Sequence, residues 1–362
     1  MKVLLVNTVP TEKNGITNVI YNYYRAINKQ DIYMDLVTIN TPEASYRDEF
    51  LQNGGRIYTL ERNLRHPLHY IRCLSELARG YDILHAHGNS ATMVLEMYAA
   101  KKAGVPVRIA HSHNSNCKYH IVDKLCRIPF YAFCNARLAC SSEAGYWLFK
   151  NRTFEILNNG IDTDKFHFEE SKRLFIREKL GWVDCKIIGH VGNFLEAKNH
   201  VFIIDIFQQL FLRDVSFRLL LLGKGEKMEE MKDRITRMQL SDKVYFAGAT
   251  DDVNDYLCAM DIIVMPSLHE GLPLTLIEEQ ANGLPCIVSD VITREADKTG
   301  LLEFQSLQTT ASAWADRICK IVLSEAERGE QSVQAIESIR QCGFDICGQA
   351  DRLKEFYKSL LK

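Results

Sequence analysis

The 362-residue chain has no stretch approaching the ~20 apolar residues needed to span a bilayer, so any membrane contact is expected to be peripheral. Its first ten residues, MKVLLVNTVP, hold an apolar run far too short for a signal peptide and read as a first strand. There is no C-x-x-C pair among the eleven cysteines, and Cys117, Cys126, Cys134 and Cys140 lack metal-site spacing. Many cysteines sit in apolar surroundings, as Cys286 does before Ile287 and Val288, where a thiol behaves as a small hydrophobe. The expectation is a reduced, cytoplasmic protein. A formal net charge of −2 lacks the basic excess of a nucleic-acid binder, and none is expected as a partner. Neither the G-x-G-x-x-G fingerprint nor a Walker A loop is present, which removes the two commonest nucleotide signatures. Internal repeats and low-complexity tracts are missing too.

What remains is an ordinary globular composition, 46% hydrophobic and 25% charged, in a chain long enough for two cores. The near-neutral total hides an asymmetry. Residues 1–165 carry 20 Lys+Arg against 15 Asp+Glu, giving +5, while residues 166–362 carry 24 against 31, giving −7. The first part is therefore the better suited to face an anionic surface or acceptor.

Short apolar runs alternate with helical patterns throughout. Lys2–Asn7, Leu36–Ile39, Arg56–Thr59, Ile83–Ala86, Val107–His111 and Leu138–Cys140 read as strands, with helices such as Ile16–Asn28 and Ala91–Ala103 between them. A polar seam near residues 160–168 reads as a linker. The pattern then restarts with strands Lys186–Val191, Phe217–Leu222, Val244–Ala247 and Ile262–Met265. Helices are expected at Val201–Phe211, Lys227–Met238, Ala311–Leu323 and Ala350–Leu361. Repeated strand–helix units with apolar strands predict an α/β protein of parallel sheets covered on both faces. Ligands of such sheets bind beyond the carboxyl ends of the strands.

The most informative stretch is Ile263–Asp290. After the strand, Pro266 opens a loop that carries Glu270, and Pro273 stands where a first helical residue belongs. The Asn282–Gly283 pair ends that helix. Glu270 and Glu278 flank its N-terminus, whose amides suit an anion. Two carboxylates at that spacing fit the hydroxyls at the two ends of a sugar nucleotide, although a pair of acids with no ligand role has the same pattern. Gly192 and Lys198, after the strand Lys186–Val191, offer backbone access and a point charge for a phosphate. Gly15 does the same for backbone access after the first strand. Gly223-Lys224-Gly225-Glu226 reads as a plain strand-to-helix turn.

His85, His87, His111 and His113 stand at two neighbouring strand ends. They suit a metal, a hydrogen bond to a bound hydroxyl, or a purely structural role. Lys118–Phe133 mixes Lys118, Lys124 and Arg127 with aromatic and aliphatic residues, the pattern of a membrane-surface helix or of a buried helix with a wet cationic face.

Taken together, Pro266 to Glu278 with its E-x7-E element, Asn159-Gly160-Ile161-Asp162 with Phe166, Lys198-Asn199 and the Ala110–Asn114 run give a chain that resembles the family 4 retaining glycosyltransferases. The likeness is nearest to the bacterial capsule and exopolysaccharide type and covers nearly the whole sequence. It implies the GT-B fold: two Rossmann-like doubly wound domains facing across a cleft. The first would span residues 1–165, with a C-terminal helix in 345–362 packing back on it and placing Phe356 on its surface. The second, residues 166–344, would bind the nucleotide sugar. Glu270 would hold donor-sugar hydroxyls and Glu278 the ribose. Gly271, Leu272, Pro273 and Leu274 would face sugar and diphosphate, Lys198 would be the diphosphate cation, and Gly15 would approach the phosphates. His113 would stand near the reacting centre, with His111 a weaker candidate. Glu270 and His113 are thus the expected catalytic residues.

Asn193 occupies a position where the family usually has Arg, and an amide cannot replace that charge. Asn14-Gly15 stands for the usual Gly-Gly. Asp162-Thr163-Asp164 looks like the acidic pair of metal-dependent sugar transferases but falls in the linker and reads as turn chemistry.

The implied activity is retaining transfer of a sugar from a UDP-linked donor to a saccharide acceptor, lipid-linked, in capsule or exopolysaccharide synthesis. No metal cofactor is expected, and the protein would associate peripherally with a membrane through Lys118–Phe133. A UDP-sugar epimerase of the same architecture and a degenerate, non-catalytic donor-binding subunit are the alternatives.

Overall fold

A computed structural model describes residues 1–12, 14–117, 119–321 and 325–362. The chain divides into two compact units, Met1–Gly160 with Asp345–Lys362, and Ile161–Phe344. Residues 161–165, expected in the first, belong to the second. There the Ile161 amide donates to the Phe344 carbonyl (2.8 Å) and Lys165 Nζ to the Asp251 carbonyl (3.2 Å).

In the first unit, β1 (Lys2–Asn7), β2 (Tyr33–Thr38), β3 (Ile57–Thr59), β4 (Ile83–Gly88), β5 (Val107–Ser112), β6 (Ala136–Ala139) and β7 (Glu155–Ile156) form one parallel sheet. Their order is β3-β2-β1-β4-β5-β6-β7. The second unit holds β8 (Lys186–Val191), β9 (Phe217–Leu222), β10 (Val244–Gly248), β11 (Ile262–Met265), β12 (Cys286–Ser289) and β13 (Leu302–Gln305). These are ordered β10-β9-β8-β11-β12-β13, again parallel.

Period-two alternation explains why these strands are apolar along their whole length. In the second unit Leu219, Leu221, Ile262 and Val264 enter one core, and Leu220, Leu222, Ile263 and Met265 enter the core on the other face. Each fully buried leucine contributes about 1.5–3 kcal/mol of transfer free energy, and the polar residues buried in this sheet are hydrogen-bonded, His190 to the Val264 carbonyl (2.9 Å) and Ser289 to that of Ser267 (2.6 Å). A buried ion cluster locks helix Glu170–Leu180 to this sheet, with Arg173 and Arg177 both 2.7 Å from the Asp261 carboxylate.

Both sheets reverse strand order at one place, between β1 and β4 and between β8 and β11. In such sheets ligands bind at the switch point, beside the loops that leave those strands. In the second unit they are the turn after Val191 and the segment Pro266–Pro273. In the first they are Thr8–Asn14 and the end of β4 at His87 and Gly88.

The chain's last helix, Ile346–Leu360, begins four residues earlier than the expected Ala350, because Asp345 caps it by accepting from the Gly348 amide (3.0 Å). It belongs to the first unit, where Tyr357 is wholly buried and Phe356 half-buried. Helix Ala311–Ile318 is shorter than expected; the last two residues of the expected span, 322 and 323, lie outside the described residues.

Candidate functional site

In the second unit, strand β11 delivers the chain to a loop fastened at three points. The Pro266 carbonyl accepts from Asn199 Nδ2 (3.1 Å), the Leu268 amide donates to the Ala197 carbonyl (2.8 Å), and the Ser267 carbonyl accepts from Ser289 Oγ (2.6 Å). Asn199 reaches Pro266 from a left-handed backbone (φ 55°), a conformation asparagine tolerates better than most residues. The turn Glu196–Lys198 and the loop carrying Glu270 are thereby held side by side. Lys198 Nζ lies 2.6 Å from Glu270 Oε1, and their side chains are only 18% and 13% exposed. That charge pair joins residues 72 apart in sequence.

Gly192 is needed where it stands. A Cβ there would meet His190 Nε2 at 2.9 Å and the Lys198 stem at 3.4 Å. The Gly223–Gly225 turn packs directly on this segment, with the Phe194 amide donating to the Lys224 carbonyl (2.9 Å). At Gly223 (φ 139°) a Cβ would lie 2.0 Å from the Gly192 carbonyl oxygen. Asn193 is exposed between them.

Pro273, expected as the first helical residue, is instead the N-cap of helix Leu274–Ala281, and no side chain caps that end. Uncapped first-turn amides present partial positive charge to the loop. Gly271 has open space around the position of a Cβ, and Leu272, Pro273 and Leu274 are half-buried. Ser267 Oγ and Thr275 Oγ1 are buried without a protein partner, which leaves two hydroxyls free for a polar ligand.

Glu278, one turn further on, keeps some solvent access, yet burial pushes its pKa up to about 7, opposed only by the charge of Lys165. Its neighbour Glu279 is fully buried, and neither carboxylate oxygen has a partner. Burial first, and then the charge of Glu278, hold its pKa well above the carboxylate range; Glu270 adds to this and Lys198 opposes it.

In the first unit, Asn14 caps helix Gly15–Ala26 by accepting from the Thr17 amide (3.0 Å). Gly15 is that helix's first residue, with nothing within 4 Å of a Cβ built on it. The parallel register of β4 and β5 sets His87 opposite His111, and the period of two puts His85, His87, His111 and His113 on one face. His87 Nδ1 and His113 Nε2 are 3.0 Å apart, and the His113 amide donates to the Gly88 carbonyl (3.2 Å). Burial pushes His85 and His113 down to about 3 and lowers His87 and His111 strongly as well, so all four rings are neutral at pH 7.

Helix His120–Phe133 turns apolar residues outward: Ile121, Leu125 and Ile128 are 77%, 75% and 82% exposed. The alternative of a buried helix with a wet cationic face is overturned by this. Arg127, one of the expected wet cations, pairs inward with Asp123 (2.7 Å) and donates to the carbonyls of Trp147 and Leu148. Lys118 lies outside the described residues.

The structure thus gathers Gly192, Lys198, Glu270, Gly271–Leu274 and Glu278 at one switch point, and Gly15 and His113 on the corresponding edge of the other sheet. The acidic Asp162-Thr163-Asp164 stands apart as a turn, Asp162 Oδ1 accepting from the amides of Asp164 (3.1 Å) and Lys165 (3.0 Å). Ser267, Thr275 and Lys165 stand beside these residues although sequence alone gave them no role, and Asn199, read there only as part of the Lys198-Asn199 match, holds the loop that carries Glu270.

The profile of glycosyl transferases group 1 matches residues 185–324, and that of glycosyltransferase family 4 matches residues 13–165. A protein of Bacillus subtilis (strain 168) named as a glycosyltransferase, EpsF, is 33% identical over 95% of this chain and 93% of its own. The UDP-Gal:alpha-D-GlcNAc-diphosphoundecaprenol alpha-1,3-galactosyltransferase of Escherichia coli is 27% identical over 76% of this chain and 75% of its own. The crystal structure of Anabaena HepE in complex with UDP superposes with a TM-score of 0.80 at 15% identity, covering 99% of this chain and all of that one.

Proposed function

The chain belongs to the group 1, family 4 glycosyltransferases of the GT-B fold, and from that premise we propose that it moves a sugar from a UDP-linked donor to a lipid-linked saccharide. The observation that carries the reading is the Lys198–Glu270 pair beside the uncapped N-terminus of helix Leu274–Ala281. As a glycosidic bond to the diphosphate breaks, negative charge builds on the leaving oxygen. A cation and first-turn amides, held in place before the reaction, stabilise that charge without reorganisation. Glu270 orients the ammonium and accepts from donor hydroxyls, and Glu278 accepts from the ribose. Ser267 and Thr275 supply further hydroxyl contacts. His113, neutral and with an unpartnered Nδ1, is suited to a hydrogen bond with a reacting hydroxyl. Retention of anomeric configuration is part of this proposal.

The E. coli relative named for a diphosphoundecaprenol-linked substrate supports a lipid-linked acceptor, and HepE bound to UDP supports the nucleotide. Among the described residues no helix is long and apolar enough to cross a membrane. The outward Ile121, Leu125 and Ile128 of helix His120–Phe133 would instead lie in the interface of an anionic membrane at its cytoplasmic face, where such an acceptor is presented. Capsule or exopolysaccharide assembly is the process this chemistry fits.

The test incubates the protein with a panel of UDP-sugars, with and without membrane lipid extract. Acceptor-dependent UDP release with retained configuration is the expected result. Acceptor-free interconversion of the sugars would mark an epimerase, and binding with no turnover a non-catalytic subunit. Either of these overturns the proposal.

A further inference from the structure

The histidine cluster of the first unit holds more chemistry than one reacting-centre histidine requires. One ring nitrogen from each of His85, His87 and His111 lies within 4.8 Å of the other two, and all three residues are buried. His85 Nε2 and His111 Nδ1 are 3.2 Å apart, and His85 Nδ1 lies 2.7 Å from the hydroxyl of Tyr357, on the C-terminal helix. His87 Nε2, His111 Nε2 and His113 Nδ1 have no hydrogen-bond partner in the protein.

Each neutral imidazole has one N–H and one lone pair. Between His87 and His113 one proton is shared, so in either tautomer one of their two free nitrogens is a buried lone pair with no donor. If His85 Nδ1 donates to Tyr357, His85 Nε2 is a lone pair facing His111 Nδ1: with the His111 proton on Nδ1 the two are hydrogen-bonded and His111 Nε2 is left as a second unpartnered lone pair, and with it on Nε2 two lone pairs face each other across 3.2 Å. Buried polar groups in native proteins are nearly always satisfied, and lone pairs converging from three imidazoles are satisfied best by a cation.

We propose that His85, His87 and His111 form a binding site for one divalent transition ion of the Zn2+ class, with Tyr357 as the positioning residue that fixes the His85 tautomer. The separation of His85 Nε2 from His111 Nδ1 matches the roughly 3.3 Å between two ligands of a tetrahedral ion bound at about 2.05 Å. Imidazoles select Zn2+, Co2+, Ni2+ or Cu2+ over Mg2+ or Ca2+, which take oxygen ligands. The Tyr357 hydroxyl accepting from His85 Nδ1 is the outer-shell contact that turns the other nitrogen toward a metal. With no carboxylate among the three ligands, the fourth position takes a hydroxide or another small anion, which offsets part of the buried charge. His113, the least buried of the four rings, marks the side on which the ion enters. The ion ties β4 and β5 to the C-terminal helix through His85. The assignment is independent of the proposed transfer reaction.

The test uses the full chain, stripped of metal with a chelator and titrated with Co2+ at pH 7.5 under reducing conditions. Visible d–d absorption reports the coordination geometry, and Zn2+ competition reports the affinity. The expected result is one Co2+ per chain with tetrahedral or five-coordinate bands and no thiolate-to-cobalt charge transfer in the near ultraviolet. Tyr357→Phe, which keeps the ring in its pocket, is expected to weaken binding about tenfold or more. His111→Gln should remove the bands, and circular dichroism checks that both variants remain folded. Absent binding, binding with thiolate bands, or unchanged affinity in both folded variants would each overturn the assignment.

Discussion

Glu278 makes the sharpest quantitative prediction. Burial holds its pKa at about 7, so its charge changes within the range where the enzyme is assayed. In the proposed role the carboxylate accepts from ribose hydroxyls; a protonated carboxyl loses part of that accepting capacity. With a pKa of about 7 the group is about 90% ionised at pH 8 and about 10% at pH 6, so donor affinity is expected to fall about tenfold across that interval. The ligand should be an intact UDP-sugar, because the terminal phosphate of free UDP titrates near about 6 and would imitate the effect. Isothermal titration at pH 6, 7 and 8 gives the profile. Glu278→Gln should bind weakly and flatten it, and Lys165→Met should move its midpoint upward, because the ammonium holds the pKa down. A wild-type affinity constant from pH 6 to 8, or a Gln variant with the same slope, would refute the argument.

The stability effect has a definite sign. A folded pKa above the unfolded value means that the stability contributed by the neutral form is complete below about 4.5 and is lost as pH rises to about 7. Glu278→Gln should therefore raise Tm at pH 8 and leave it nearly unchanged at pH 4.

Three other outcomes follow from the geometry. Lys198→Ala should lower kcat by about 10²–10³; in a double-mutant cycle with Glu270→Ala the effects should be non-additive, and additivity would mean that the two side chains act separately. Gly192→Ala should weaken donor binding and cost about 1–3 kcal/mol of stability by chemical denaturation, because His190 is held by the Val264 carbonyl (2.9 Å) and cannot retreat from a new methyl group. Replacing Ile121, Leu125 and Ile128 together with Ser should abolish co-sedimentation with anionic vesicles while leaving the unfolding free energy within about 1 kcal/mol of wild type, since those side chains contact solvent.

The central strands were legible in sequence because they are buried on both faces: β1, β9 and β11 are apolar almost without interruption, and β4 and β8 keep apolar runs broken chiefly by histidine. The edges were not. Glu155–Ile156 has two residues, and Leu302–Gln305 mixes Glu303 and Gln305 with its apolar positions, so neither carries a strand period. Helix Glu170–Leu180 was hidden by Arg173 and Arg177, which look solvent-facing until Asp261, more than 80 residues on, takes them inside. The segment Pro266–Glu278 was readable because loop, helix start and both acids are contiguous. The pairing of Lys198 with Glu270 and the titration of Glu278 were not, since each depends on what surrounds a side chain in space. His85 and Tyr357, hydrogen-bonded across 272 residues, show the same limit at its widest.

The return of the C-terminal helix to the first unit bears on how the protein is made. A ribosome delivers residues 1–160 well before the segment that covers His85, which emerges only after the whole second unit. Closing that contact requires a loop of 272 residues, an entropic cost that weighs on folding rate more than on final stability. The first unit therefore waits through synthesis with part of its core open, exposing apolar surface that a chaperone would bind. A chain released before Tyr357 would carry the second unit whole and still lack part of the first unit's core.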